Sequence, residues 1–184
     1  MPSRKKPGDG AGKPAPSTLP YEQQIEIARE VAFRLLAVRE RSAAELRARL
    51  RGKGFDPDVI VTVIDRLQES ELQSDTRFAA QFVESAARRG FSGRRIQVEL
   101  RARGLNKEDA ARAATEDPDA ELSRARDLAE RKAARMTDLP VEARVRRLVS
   151  LLARKGFDPD TCRIVAIEVA GSPSLDPLVE RDLP

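Results

Sequence analysis

Residues 75–105 read DTRFAAQFVESAARRGFSGRRIQVELRARGL, and this stretch decides the fold. Asp75 or Thr76 stands as the cap of a helix through Ala87 that turns Phe78, Phe82, Val83 and Ala86 inward at helical spacing. Gly90 breaks the pattern. Ser92 then caps a second helix, which buries Ile96 and Leu100 and stops at Gly104. The second half of the stretch recurs on both sides. Aligned on Gly54, Gly104 and Gly156, the copies are 50 and 52 residues apart. Leu50, Leu100 and Leu152 stand four positions before these glycines, and Leu46, Ile96 and Leu148 stand eight before. Phe55, Leu105 and Phe157 follow directly, then the capping residues Asp56, Asn106 and Asp158. A repeat of this period means stacked supersecondary units.

The remaining helices fall into place around the three glycines. The first unit opens at Tyr21 and runs to about Arg39, with Ile25, Ala28, Val31, Ala32, Leu35 and Leu36 inward. Ser42 and Glu45 form a capping-box pattern for its middle helix. Asp56 and Pro57 open its third helix, whose stripe is Val59, Ile60, Val63, Ile64 and Leu67. In the second unit Asn106 starts a weaker third helix with Ala110, Ala113 and Ala114. The third unit has helices over 120–136, 140–155 and 158–169, ended by Gly171. The expected fold is all-α, an elongated tandem array of three three-helix repeats over 21–73, 74–117 and 118–171. Residues 1–20 hold five of the twelve prolines and three of the ten glycines, so they are expected to form a disordered basic arm. Residues 172–184 are expected to form a disordered acidic tail. The fragment GAGKP at 10–14 is no phosphate-binding loop, because Pro7 and Pro14 replace the glycine and hydroxyl residues that motif needs.

Composition agrees with an aliphatic helical array. Charged residues make up 35% of the 184 and aromatics only 4%, which is poor for a β-sandwich. No apolar run approaches the roughly 18 residues that span a bilayer, and no signal peptide precedes the first helix, so a cytoplasmic protein without membrane contact is expected. A lone cysteine excludes an internal disulfide framework. Cys162 falls in the slot filled by Ile60 and Ala110 in the other repeats, which marks it as a small core residue. With no histidine in the chain, the usual zinc sites and Cys–His or Ser–His nucleophiles are absent. The acids alternate with Arg and Lys, as in Glu121, Arg124, Asp127 and Arg131, a solvated pattern. Binding without turnover, cofactor or metal is the expectation.

Charge is sorted by helix. The formal net charge is +4, yet residues 39–53 hold six basic and two acidic groups, and residues 88–103 hold six and one. Residues 144–155 hold five basic groups and no acid. Cations in last helical turns, such as Lys53, Arg103, Arg154 and Lys155, are favoured there by about 0.3–1 kcal/mol without any partner. The pairs Arg94-Arg95 and Arg146-Arg147 occupy identical repeat positions, expected near helix N-termini where positive charge opposes the macrodipole. A locally unfavourable charge repeated at one position points to an acidic partner.

Three segments together resemble the RecX regulators of the bacterial recombinase RecA: LLAVRERSAAELRARLRGKGFDPDVIVTVIDRL at 35–67, the opening stretch at 75–105, and RRLVSLLARKGFDPDTCRIVAIEV at 146–169. The resemblance covers roughly residues 25–170. It implies an array of three-helix repeats with a concave, positively charged side and no catalytic site. It also implies a partner, RecA in its filament on single-stranded DNA, whose recombinase, ATPase and co-protease activities such proteins restrain. The basic positions it matches are Arg88, Arg89, Arg94, Arg95, Arg101 and Arg103. The charge pattern of the other middle helices adds Arg144, Arg146 and Arg147, with Arg47 and Arg51, to the expected RecA- and DNA-binding set. The chain is expected to act as a monomer. The rival expectation is a helical-repeat DNA-binding protein of helix-turn-helix type that acts without RecA.

Overall fold

The computed structural model describes residues 16–171, and among them every regular element is a helix. The helices are α1 (Tyr21–Val38), α2 (Ala43–Arg51), α3 (Pro57–Glu69), α4 (Asp75–Arg88), α5 (Gly93–Ala102), α6 (Lys107–Ala114), α7 (Pro118–Ala133), α8 (Val141–Lys155) and α9 (Pro159–Gly171). They form three consecutive triplets, as the glycine register predicts. The chain divides into two compact units, the first ending at Ser74 and the second beginning at Asp75.

In the first unit α1 and α2 both pack on α3. Ile25, Leu46, Leu50, Val59, Val63 and Ile64 are buried together, which is the predicted stripe. Ser42 caps α2 as expected, its Oγ accepting from the Glu45 N–H at 3.0 Å, while the Glu45 carboxylate takes Arg39 at 2.9 Å. Asp56 does something else. It sits at the cap position of α3 but makes no side-chain cap bond. Its carboxylate accepts from Gln24 Nε2 at 2.7 Å, and its N–H donates to Gln24 Oε1 at 3.3 Å. Gln24 is almost fully buried, and this two-point clamp satisfies an amide that would otherwise cost stability. The end of the predicted arm is also ordered. Pro16–Thr18 form a 3₁₀ turn, and the Ser17 N–H donates to Gly54 O at 3.1 Å. The rest of that arm and the expected tail lie outside the described residues.

The second unit holds two triplets. Phe78, Ala79, Ala86, Ile96, Leu100 and Leu105 form the core of α4–α6. Leu148, Leu152, Phe157, Cys162, Val165 and Ala166 form that of α7–α9. Cys162 is buried as predicted, and desolvation followed by the Asp158 charge pushes its thiol above the ordinary range, so it is inert. The repeat glycines Gly54, Gly104 and Gly156 have φ of +84°, +93° and +93°, the left-handed conformation that ends a helix. One boundary and the setting of one arginine pair differ from the sequence reading. α7 begins at Pro118, where the Asp117 carboxylate caps the Asp119 N–H at 3.1 Å, two residues before the expected start. Gly171 is the last residue of α9, as expected. α8 runs from Val141, beside its expected start at residue 140, yet this places Arg146 and Arg147 in mid-helix, not near its N-terminus.

Candidate anion-binding interface

The turn between α4 and α5 reads Arg88-Arg89-Gly90-Phe91-Ser92-Gly93-Arg94-Arg95, a phenylalanine between two arginine pairs. It abuts the C-terminal end of α8. The Ser92 N–H donates to Lys155 O at 3.0 Å, and Arg95 Nη1 donates to Arg154 O at 2.9 Å. The Gly93 N–H donates to Glu121 Oε1 at 3.0 Å, and Arg124 Nε donates to Phe91 O at 3.1 Å. The positive end of α5 therefore faces the negative end of α8, an arrangement that helix dipoles favour. Arg95, unfavourable for its own helix, satisfies an orphan carbonyl of another.

This docking gathers four cations around two phenylalanine rings. Arg89, Arg95 and Lys155 place their charged groups 4.9, 4.8 and 4.8 Å from the Phe91 ring centre. Arg89 and Arg103 lie 5.9 and 4.5 Å from that of Phe82. Each such contact is worth about 0.5–1 kcal/mol at an exposed site. Glu99 lies among these cations: its carboxylate accepts from Arg103 Nη1 at 2.7 Å and from Arg95 Nη2 at 3.2 Å. The Arg103 hydrogen bond is the main reason its carboxyl is held below the ordinary range. Burial, then Arg89 and Arg95, pull the Lys155 ammonium below its ordinary value, while its Nζ donates to Arg89 O at 2.7 Å. The clustering of Arg89, Arg95, Arg103 and Lys155 makes this junction the candidate site for an anionic partner.

The other expected residues fall into distinct places. Arg88 pairs with Glu84 on the surface. Arg94 and Arg101 are exposed on α5, on either side of Val98, which is 61% exposed. Arg144 is half-buried, and its Nε is buried without a hydrogen-bond partner. Arg146 and Arg147 are exposed and, with Lys132 and Arg154, line a hollow of about 540 Å³ floored by Ala143 and Ser150. No acid lines it. Arg47 is half-buried and Arg51 exposed on α2 of the first unit. Thus Arg89, Arg95 and Arg103 converge, Arg146 and Arg147 converge separately, and Arg94 and Arg101 share a helix face. Sequence reasoning missed Phe91 and Lys132 and read Phe82 as core and Lys155 as a terminal cation. The symmetric run RRGFSGRR at 88–95 was the available signal for Phe91. Nothing local marks Lys155, which joins from 66 residues away.

Comparison with known proteins agrees with this architecture. Residues 28–67, 74–113 and 119–165 match the first, second and third three-helix domains of RecX. The chain is 39% identical over 164 residues to the Regulatory protein RecX of Mycobacterium avium (strain 104), covering 87% of this chain and 94% of that one. It is 38% identical over 144 residues to that of Amycolatopsis mediterranei (strain U-32), covering 77% and 82%. A crystal structure of RecX from Lactobacillus salivarius has the same fold, with a TM-score of 0.69 at 21% identity over 80% of this chain and 97% of that one. A bacterial regulatory protein built from tandem three-helix domains is the class so defined. The chain belongs to the RecX family.

Proposed function

We propose that this protein regulates RecA, by lying on the RecA–single-stranded DNA filament and restraining its recombinase, ATPase and co-protease activities. The observation that carries the reading is the surplus of positive charge on the second unit, at the Phe91 junction and in the hollow of Arg146 and Arg147. Such groups fit the phosphates of a filament-bound strand, where each neutralised phosphate releases counterions. Arg88, Arg89, Arg94, Arg95, Arg101, Arg103, Arg144, Arg146 and Arg147, with Arg47 and Arg51 of the first unit, are the contact set. The repeats over 21–73, 74–117 and 118–171 each contribute a middle helix. The protein works as a cytoplasmic monomer, and occupation of the filament blocks exchange partners. No helix among the described residues is long and apolar enough to cross a membrane. Strand exchange by preformed RecA filaments is the test: stoichiometric protein is expected to suppress it, and unchanged exchange contradicts the proposal.

One observation favours a second reading, DNA binding without RecA. Arg94, Val98 and Arg101 form an exposed α5 face with cations on either side of an apolar side chain, as a helix entering a groove requires. Binding of that kind proceeds on naked DNA, with a log–log salt slope of about −4 for four phosphate contacts. A RecA requirement for tight binding decides against it.

A further inference from the structure

Away from the cationic junction, α4 and α6 leave a groove of about 460 Å³ between them. The register of the repeats explains why. Nine residues past the repeat glycine, the first and third repeats carry Val63 and Val165, both buried, whereas the second carries Ala113. Six and ten residues past it, the first repeat carries Ile60 and Ile64 where the second carries Ala110 and Ala114. α6 is also 8 residues long, against 13 for α3 and for α9. The seam that isoleucine and valine fill in the first repeat is thus under-filled in the second. Its lining is apolar, with Ala79, Ala80, Val83, Leu105 and Ala113.

The rim has the opposite charge to the rest of the unit's binding face. Asp75, Glu84 and Asp109 border the groove against the single cation Arg112. Glu84 and Asp109 are paired with Arg88 and Arg112, and Asp75 too has a partner, but the two exposed ion pairs are of a kind worth about 0–1 kcal/mol, readily exchanged for an incoming cation. A small-residue floor between acidic edges suits a helix that inserts a bulky apolar side chain flanked by Lys or Arg. A phosphate backbone would be repelled.

The geometry points to the α4–α6 groove as a protein-docking surface for a cationic amphipathic helix, distinct from the cationic interface. Resting on the proposed function, that helix belongs to RecA, so that one face of the unit engages the recombinase and another its DNA. Ala80→Arg blocks the floor and Glu84→Lys reverses the rim, both at exposed positions that leave the core intact. The experiment measures anisotropy of the labelled full chain against RecA without DNA, and separately against single-stranded DNA alone. Each variant is expected to bind RecA at least about tenfold more weakly, as loss of a central anchor does, with DNA affinity not lowered, since both add positive charge. Wild-type affinity of both variants for RecA overturns the groove assignment and leaves the RecA reading intact. Absence of any wild-type binding to RecA overturns both. Light scattering adds a further arm: self-association abolished by Ala80→Arg, with RecA binding unaffected, gives the groove to a second copy and overturns the inference.

Discussion

Gly156 lies against Arg95 so closely that no side chain fits between them. A Cβ on Gly156 would stand 2.6 Å from Arg95 Cβ and 2.7 Å from Ser92 Oγ. The same residue has φ +93°, so its missing side chain serves both the end of α8 and the docking of α5 upon it. The equivalent Gly54 has a similar φ, but a Cβ there would meet only Pro16 Cδ at 3.7 Å. Gly156→Ala is therefore expected to cost about 2–4 kcal/mol, and Gly54→Ala about 1–2 kcal/mol, from the backbone alone. Urea denaturation of the two variants measures the difference.

Glu71 is the counterpoint. It is the one described non-glycine residue with positive φ, at 56°, just past the end of α3. The Leu72 and Gln73 N–H groups both donate to Leu67 O there, closing the helix end with a residue that pays for the left-handed conformation. Glu71→Gly is expected to stabilise the first unit by roughly 1 kcal/mol. Thermal unfolding checks the sign, and a lower midpoint contradicts it.

Adjacent arginines are expected to behave differently. Arg95 bonds Arg154 O, pairs with Glu99 and stacks on Phe91, whereas Arg94 is exposed. Arg95→Ala should cost about 1 kcal/mol or more of stability, and Arg94→Ala within about 0.5 kcal/mol. If both touch phosphate, each also lowers the salt slope of DNA binding by about 1. Equal stability of the two variants contradicts the structural role of Arg95.

The acid limb of stability follows from Glu99. Its carboxyl is depressed in the folded chain, chiefly by the Arg103 hydrogen bond, so the unfolded chain binds the proton more tightly. The stabilisation is fully present above the unfolded value of about 4.3 and is lost as pH falls through the depressed folded value. Glu99→Gln is expected to lower stability at neutral pH and to flatten its fall below about pH 4. Denaturant midpoints across that range test it, and parallel curves for the two proteins count against it.

What was legible in the sequence was what the chain encodes locally. The glycines at 54, 104 and 156 demand a left-handed turn, and the leucines four residues before them demand one buried face, so the triplets could be read directly. What was hidden depends on residues distant in sequence. Asp56 has a capping residue's position, yet Gln24, 32 residues earlier, takes its carboxylate. Arg94 and Arg95 look alike until α8 arrives and gives only Arg95 a carbonyl. Arg146 and Arg147 share the repeat position of that pair but not its helical context, because α8 begins fifteen residues before Gly156 whereas α5 begins eleven before Gly104. The α4–α6 groove was written in the alanines at 110, 113 and 114, which mark a weak helix in sequence and an open seam in space.

ATP hydrolysis by RecA on single-stranded DNA, followed while this protein is titrated in, tests regulation of the filament most directly. A rate that falls with added protein, and falls less with an Arg94→Glu/Arg147→Glu variant, is the expected result. A rate unchanged at stoichiometric protein would contradict it.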